Sequence, residues 1–153
     1  MNYFSSDFKL GILGGGQLGK MLLFETRKFD IQTYILDPSK DAPSQFGASQ
    51  FFTGDLMDFD AVYEFGKKVN LLTIEIENVN LDALDRLETE GLPVYPSPKT
   101  LRLIQNKGVQ KDFYVANNIP TSPHQRFENI QNLKSKIVNQ QSKIQLPCVW
   151  KAA

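Results

Sequence analysis

The residues of this sequence whose types and spacing could do chemistry fall into three groups. They are three glycines at Gly14, Gly16 and Gly19, two carboxylates at Glu75 and Glu77, and the lysines Lys107 and Lys151. Gly14-x-Gly16-x-x-Gly19 follows the apolar run 10–13 and precedes a helical pattern. That spacing suits a tight turn, a bare backbone open to close approach by a ligand, and a helix packed closely on a sheet. N–H groups and the positive end of the helix dipole then converge on one spot, which suits a phosphate or a carboxylate. A glycine triplet at such a turn can also be purely structural, so the rest of the chain has to supply the context.

Glu75-Ile76-Glu77-Asn78 ends the most apolar stretch of the chain, 69–76, which reads as a parallel strand buried on both faces. Strand alternation puts Glu75 and Glu77 on one face, where an amine or ribose hydroxyl would suit them as a hydrogen-bond donor; solvation at a strand end is the alternative. Lys151, between Trp150 and Ala152 in an apolar strand, either snorkels to water or meets an anion such as phosphate. Lys107 and Lys111 sit at i and i+4 on a helix, repel by about 0.2–0.5 kcal/mol, and read as a solvated basic face. Cys148 reads as a small buried apolar residue, His124 as a loop residue without partners, and Trp150 as core. Asp37, 18 positions after Gly19, is where a dinucleotide-binding fold takes the adenine ribose hydroxyls.

The elements that must position these groups alternate between strand and helix. After the glycine turn, Leu18, Met21, Leu22 and Phe29 recur at near-helical spacing and predict the face of an amphipathic helix lying on a sheet. Residues 32–37 read as a strand ended by Pro38, and residues 50–53 as a short strand closed by Gly54-Asp55. Asp58 caps a second helix carrying Phe59, Val62, Gly66 and Val69. Asn80 caps a third, with Leu81, Leu84 and Leu87, stopped by Gly91. A last short strand covers 92–96, and the helical text over 99–117 has Gly108 as its weak point. The pattern predicts an α/β fold, a Rossmann-like open parallel sheet with helices on both faces. Right-handed crossovers then place residues 14–17, Asp37 and residues 75–78 on one edge, where such sheets bind ligands. Domains are expected at 1–98, with a helical linker at 99–123 and the beginning of a further subdomain at 124–153. That last segment holds a short strand candidate, a helix around 131–140 and the strand 148–151.

Seventeen basic residues balance seventeen acidic ones among 153, which removes the electrostatic case for a nucleic-acid partner. One cysteine and one histidine leave no disulfide and no Cys/His metal cluster. Neither a secretory signal nor an apolar run of membrane-spanning length stands out, so a cytoplasmic protein without a membrane partner is expected.

Together, Gly-Ile-Leu-Gly-Gly-Gly-Gln-Leu-Gly-Lys-Met-Leu at 11–22, Leu-Asp-Pro at 36–38 with Ala42-Pro43, Thr-Ile-Glu-Ile-Glu-Asn-Val at 73–79, Tyr-Pro-Ser-Pro at 95–98 and Gln-Asn-Lys-Gly-Val-Gln-Lys at 105–111 resemble the 5-(carboxyamino)imidazole ribonucleotide synthase family of ATP-grasp ligases. The resemblance covers essentially the whole chain. It implies a pre-ATP-grasp domain followed by the truncated start of an ATP-grasp domain. It further implies an ATP- and Mg2+-dependent carboxylation of 5-aminoimidazole ribonucleotide by bicarbonate in purine biosynthesis, by a protein that is a homodimer when full length. Gly15, Gly16, Gln17, Leu18 and Glu75 would face the aminoimidazole ribonucleotide. Lys107 and Lys151 would bind ATP; many relatives carry arginine at the first position, so a point charge replaces a fork. The magnesium ligands would lie beyond residue 153, and no catalytic residue within it. A chain of this extent alone is therefore expected not to turn over. Two other readings are a formate-dependent glycinamide ribonucleotide transformylase, which shares the turn, the acidic strand end and the lysine, and an NAD-binding Rossmann module, which explains Asp37 but not Glu75, Lys107 or Lys151. A non-catalytic interaction domain is the last alternative.

Overall fold

The computed structural model describes residues 7–127 and 129–138. Its elements run β1 (Lys9–Leu13), α1 (Gln17–Arg27), β2 (Gln32–Asp37), β3 (Gln50–Thr53), α2 (Phe59–Gly66), β4 (Leu71–Ile74), α3 (Leu81–Thr89), β5 (Val94–Tyr95), α4 (Pro98–Gln105), α5 (Lys107–Ala116) and α6 (Ile130–Val138). The chain divides into two compact units, 1–102 and 103–153.

In the first unit five strands form one sheet in the order β3-β2-β1-β4-β5, every neighbouring pair parallel. The open parallel sheet expected from the sequence is what forms. Successive residues of a strand face opposite sides, so β1 feeds two cores. Leu13 joins Tyr34, Leu36, Leu72, Val62 and Phe65 of α2, and Leu84 and Leu87 of α3. Ile12 joins Ile35 and Leu23 of α1 on the other face. Helices therefore cover both faces.

Local chemistry sets where the helices begin. Asp58 caps α2 by accepting from the Ala61 N–H at 2.7 Å, and Asn80 caps α3 by accepting from the Ala83 N–H at 2.9 Å. Gly91, at φ +96°, ends α3's last turn in a conformation that disfavours a side chain.

The structure departs from expectation in four places. The buried face of α1 is Gly19, Leu23 and Thr26, whereas Leu18 and Met21 are more than 60% exposed and Phe29 is more than half exposed. Close approach decides this: a Cβ on Gly19 would stand 2.8 Å from the Gly14 carbonyl oxygen, so the helix must present its glycine side to the turn. Secondly, β4 ends at Ile74, so strand alternation does not extend through Glu75 and Glu77. Thirdly, the helical text after residue 98 breaks at Asn106, not Gly108. Asn106 caps α5 through the Val109 N–H at 3.0 Å, while bare Gly108 makes room for the Arg126 guanidinium. The helix near 131–140 forms as α6, but, fourthly, no strand forms among the described residues from 121 to 127. The strand 148–151, with Cys148, Trp150 and Lys151, lies outside the described residues.

Candidate ligand site at the glycine turn

From β1 the chain crosses through α1 to β2, outward in one direction, whereas β4 lies on β1's other side. The strand order therefore reverses at β1. In open α/β sheets the crevice outside the carboxyl ends of the strands at such a switch point is where ligands bind. The turn 14–16 follows β1 and Glu75 follows β4, so the fold brings both to that crevice.

The turn is fixed by bonds that the sequence does not advertise. Gly14, at φ +102°, donates its N–H to the Leu36 carbonyl at 2.9 Å. Gly15 donates to Asp37 Oδ2 at 2.6 Å, and Ser39 N–H donates to Asp37 Oδ1 at 2.7 Å. The Gly15 carbonyl accepts from the Ser44 hydroxyl at 2.8 Å and the Ser44 N–H at 3.0 Å. Gly16 then caps α1 with its carbonyl receiving the Lys20 N–H at 3.0 Å and no side chain capping the first turn. That turn contains no acidic residue of its own.

Glu75 supplies the negative charge instead. Its N–H donates to the Leu13 carbonyl at 2.8 Å, one residue past the end of β4, which pins its backbone beside the end of β1. The half-buried carboxylate lies across two glycines: a Cβ on Gly14 would fall 2.6 Å from Oε2, and one on Gly16 2.9 Å from Oε1. Only glycines leave that space. An anionic acceptor next to the positive end of α1 is favourable. Such an arrangement suits a ligand that brings a donor, an amine or a hydroxyl, to Glu75. It repels a diphosphate, whose place in a dinucleotide fold is over this same turn.

The structure thus gathers Gly15, Gly16 and Glu75, with Gln17 and Leu18 exposed on the first turn of α1. Glu77 is exposed. In the second unit Lys107 is half-buried and donates from Nζ to the Ile104 carbonyl at 2.9 Å. Lys111 is no bare solvated cation, since its Nζ donates to Thr121 Oγ1 at 2.5 Å and Ser122 Oγ at 2.9 Å. His124 also has a partner: its Nε2 is 3.4 Å from Asp112 Oδ1, and Arg126 reaches Asp112 Oδ2 at 2.6 Å. Arg126 first, then His124, holds the Asp112 carboxyl below its ordinary value. Ser44 and the inward role of Asp37 are what sequence reasoning missed. The one available signal was an aspartate at a strand end followed by Pro38-Ser39, a combination that favours an Asx turn. Among the described residues no group of three His, Cys, Asp or Glu side chains could hold a metal ion. No helix there is long and apolar enough to cross a membrane.

Residues 8–105 match the family model for the ribonucleotide synthetase preATP-grasp domain. The phosphoribosylaminoimidazole carboxylase of Candida glabrata is 35% identical over 146 residues, which is 94% of this chain and 25% of the relative. An N5-carboxyaminoimidazole synthase from Aspergillus clavatus, solved in complex with ADP and 5-aminoimidazole ribonucleotide, superposes with a TM-score of 0.72 at 32% identity, covering 89% of this chain and 36% of that one. A formate-dependent phosphoribosylglycinamide formyltransferase of Methanococcus maripaludis is a more distant match, 30% identical over 97% of this chain and 38% of the relative. The chain therefore spans a quarter to about two fifths of the length of these relatives.

Proposed function

Because the chain belongs to the ribonucleotide synthetase preATP-grasp family, we propose that it is the ribonucleotide-facing part of an ATP-dependent ligase that carboxylates 5-aminoimidazole ribonucleotide with bicarbonate, giving 5-(carboxyamino)imidazole ribonucleotide, ADP and phosphate. The observation that carries this reading is Glu75's carboxylate lying across Gly14 and Gly16 at the sheet's switch point. A carboxylate there accepts from the ligand's exocyclic amine or ribose hydroxyls and fixes the nucleophile's position, which is how a held amine gains proximity to an activated carboxyl group. Gly16, Gln17 and Leu18 line the rim as backbone donors, and Gly15 sets the turn.

The ATP side of the reaction is assigned to Lys107, with Lys151 as the second cation; point charges on phosphate oxygens stabilise the charge that develops in phosphoryl transfer. Magnesium, which the resemblance implies, has no fitting set of ligands among the described residues. Assembly as a homodimer and a cytoplasmic location belong to the same reading of the full-length protein.

Asp37 does not favour an NAD-binding module, because both its carboxylate oxygens already accept from the protein's own backbone. The test is ADP release by the full-length protein with aminoimidazole ribonucleotide and bicarbonate added separately and together. Release that requires the ribonucleotide and consumes bicarbonate supports the reading. Release only with glycinamide ribonucleotide and formate would transfer the protein to the formyltransferases.

A further inference from the structure

The two peptide groups that flank Gly15 are held by two different residues, Asp37 at the end of β2 and Ser44 in the loop that follows it. The Gly14–Gly15 peptide gives its N–H to Asp37, and the Gly15–Gly16 peptide gives its carbonyl to Ser44 through both hydroxyl and N–H. A trans peptide is planar with its N–H opposed to its C=O. Fixing the Gly15 carbonyl on Ser44 therefore turns the Gly16 N–H away from the loop, and fixing the Gly15 N–H on Asp37 turns the Gly14 carbonyl away from Asp37. Gly16's N–H is the first of the turn without a bond to β2 or to the loop behind it, since Gly14 and Gly15 have given theirs to Leu36 and Asp37.

Nothing in this arrangement has slack. Ser44 is fully buried, and a Cβ on Gly15 would stand 2.6 Å from its Oγ, 3.1 Å from Ala42 Cβ and 3.2 Å from Asp37 Cβ. Gly14 and Gly16, on either side of Gly15, are the two residues on which the Glu75 carboxylate rests. A tilt of either flanking peptide moves the floor under that carboxylate and the direction of the Gly16 donor together.

We propose that Asp37 and Ser44 are positioning residues for the ribonucleotide site, acting through Gly15 to set the Gly16 N–H and the seat of Glu75. The assignment rests on the function proposed above, and its test separates the two. In the full-length protein, Asp37→Ala removes both acceptors, Asp37→Asn keeps one, and Ser44→Ala removes the hydroxyl bond while leaving the backbone bond. Loss of a charge-assisted bond of this kind raises the KM for aminoimidazole ribonucleotide roughly tenfold or more in Asp37→Ala, less in Asp37→Asn and Ser44→Ala, with the KM for ATP within about twofold of wild type. Lowered thermal stability with both KM values unchanged, or both raised alike, would overturn the proposal. Should Asp37→Ala fail to fold, the Asp37→Asn and Ser44→Ala comparison carries the same decision. The amide signals of Gly15 and Gly16 supply a readout that needs no substrate. Displacement of both signals in Asp37→Asn and Ser44→Ala supports the clamp even if wild type shows no activity with aminoimidazole ribonucleotide, which would defeat the function alone. Unmoved signals overturn the clamp.

Discussion

Gly14 and Gly16 meet the same carboxylate, yet alanine acts differently at each. At Gly16 the backbone is extended, and an added methyl meets the Glu75 carboxylate, Oε1 at 2.9 Å with Cδ and Oε2 at 3.5 Å, the free end of a flexible side chain. The side chain can swing aside, so Gly16→Ala leaves stability within about 1 kcal/mol of wild type while the seat of the carboxylate is lost. At Gly14 the methyl meets Oε2 at 2.6 Å and Glu75 Cβ and Ile76 Cγ2 at 3.1 Å, on a backbone at φ +102°. Strain and overpacking together predict a loss of about 1–3 kcal/mol or more for Gly14→Ala. Denaturant melts of the two variants give the stability contrast. Because Gly16→Ala acts through Glu75, the double variant Gly16→Ala/Glu75→Ala costs no more in kcat/KM for the ribonucleotide than Glu75→Ala alone. Additive losses would show that the methyl obstructs the ligand directly.

At the scale of elements, α1 separates apolar character from burial. Leu23 is 3% exposed and completes the smaller core with Ile12 and Ile35, whereas Leu18 and Met21 are 64% and 62% exposed. Leu23→Ala is expected to cost about 2–5 kcal/mol, and Leu18→Ser or Met21→Ser less than about 0.5 kcal/mol, as read from urea midpoints. Equal losses would place the hydrophobic stripe, not the glycine side, against the sheet. The sequence wheel chose the stripe because hydrophobic periodicity ranks Gly19 and Thr26 low. Yet Thr26 is buried, with its hydroxyl donating to the Leu23 carbonyl at 3.1 Å and accepting from Thr33 at 2.9 Å. At three caps and breakers the elements were legible, since β2 ends before Pro38 and Asp58 and Asn80 start their helices as read, whereas Gly108 lies inside α5. The carboxylate over the turn was legible as a residue at the strand end, though not through alternation, since β4 stops at Ile74 and Glu75 is placed by its N–H on Leu13. The Asp37 and Ser44 bonds span 22 and 29 positions, beyond what local pattern encodes.

At the scale of the molecule, both cores of the first unit are built, among the described residues, from residues no later than Leu101. A polypeptide of residues 1–105, ending with α4, is therefore expected to unfold in one cooperative urea transition, with a stability of about 5–15 kcal/mol. A broad or absent transition would mean that the sheet needs the chain after α4. The same topology decides where a ligand acts. Every strand runs parallel, so all strand carboxyl ends share one edge, and the reversal of order at β1 opens a crevice only between β1 and β4. The opposite edge carries β1's beginning, where Lys9 N–H donates to Asn70 Oδ1 at 2.8 Å and Asn70 N–H to the Lys9 carbonyl at 2.9 Å. Hydrogen exchange of the full-length protein with saturating aminoimidazole ribonucleotide should therefore slow in peptides covering residues 14–19 and 75–79, and stay unchanged in those covering 59–70 and 81–91. Ligand binding rigidifies what it touches and the backbone bonds beneath it, whereas α2 and α3 cover the face of the sheet away from α1 and hold it through the larger core. Protection confined to α2 and α3 would move the site off the switch point and leave Glu75 as a helix-dipole partner only.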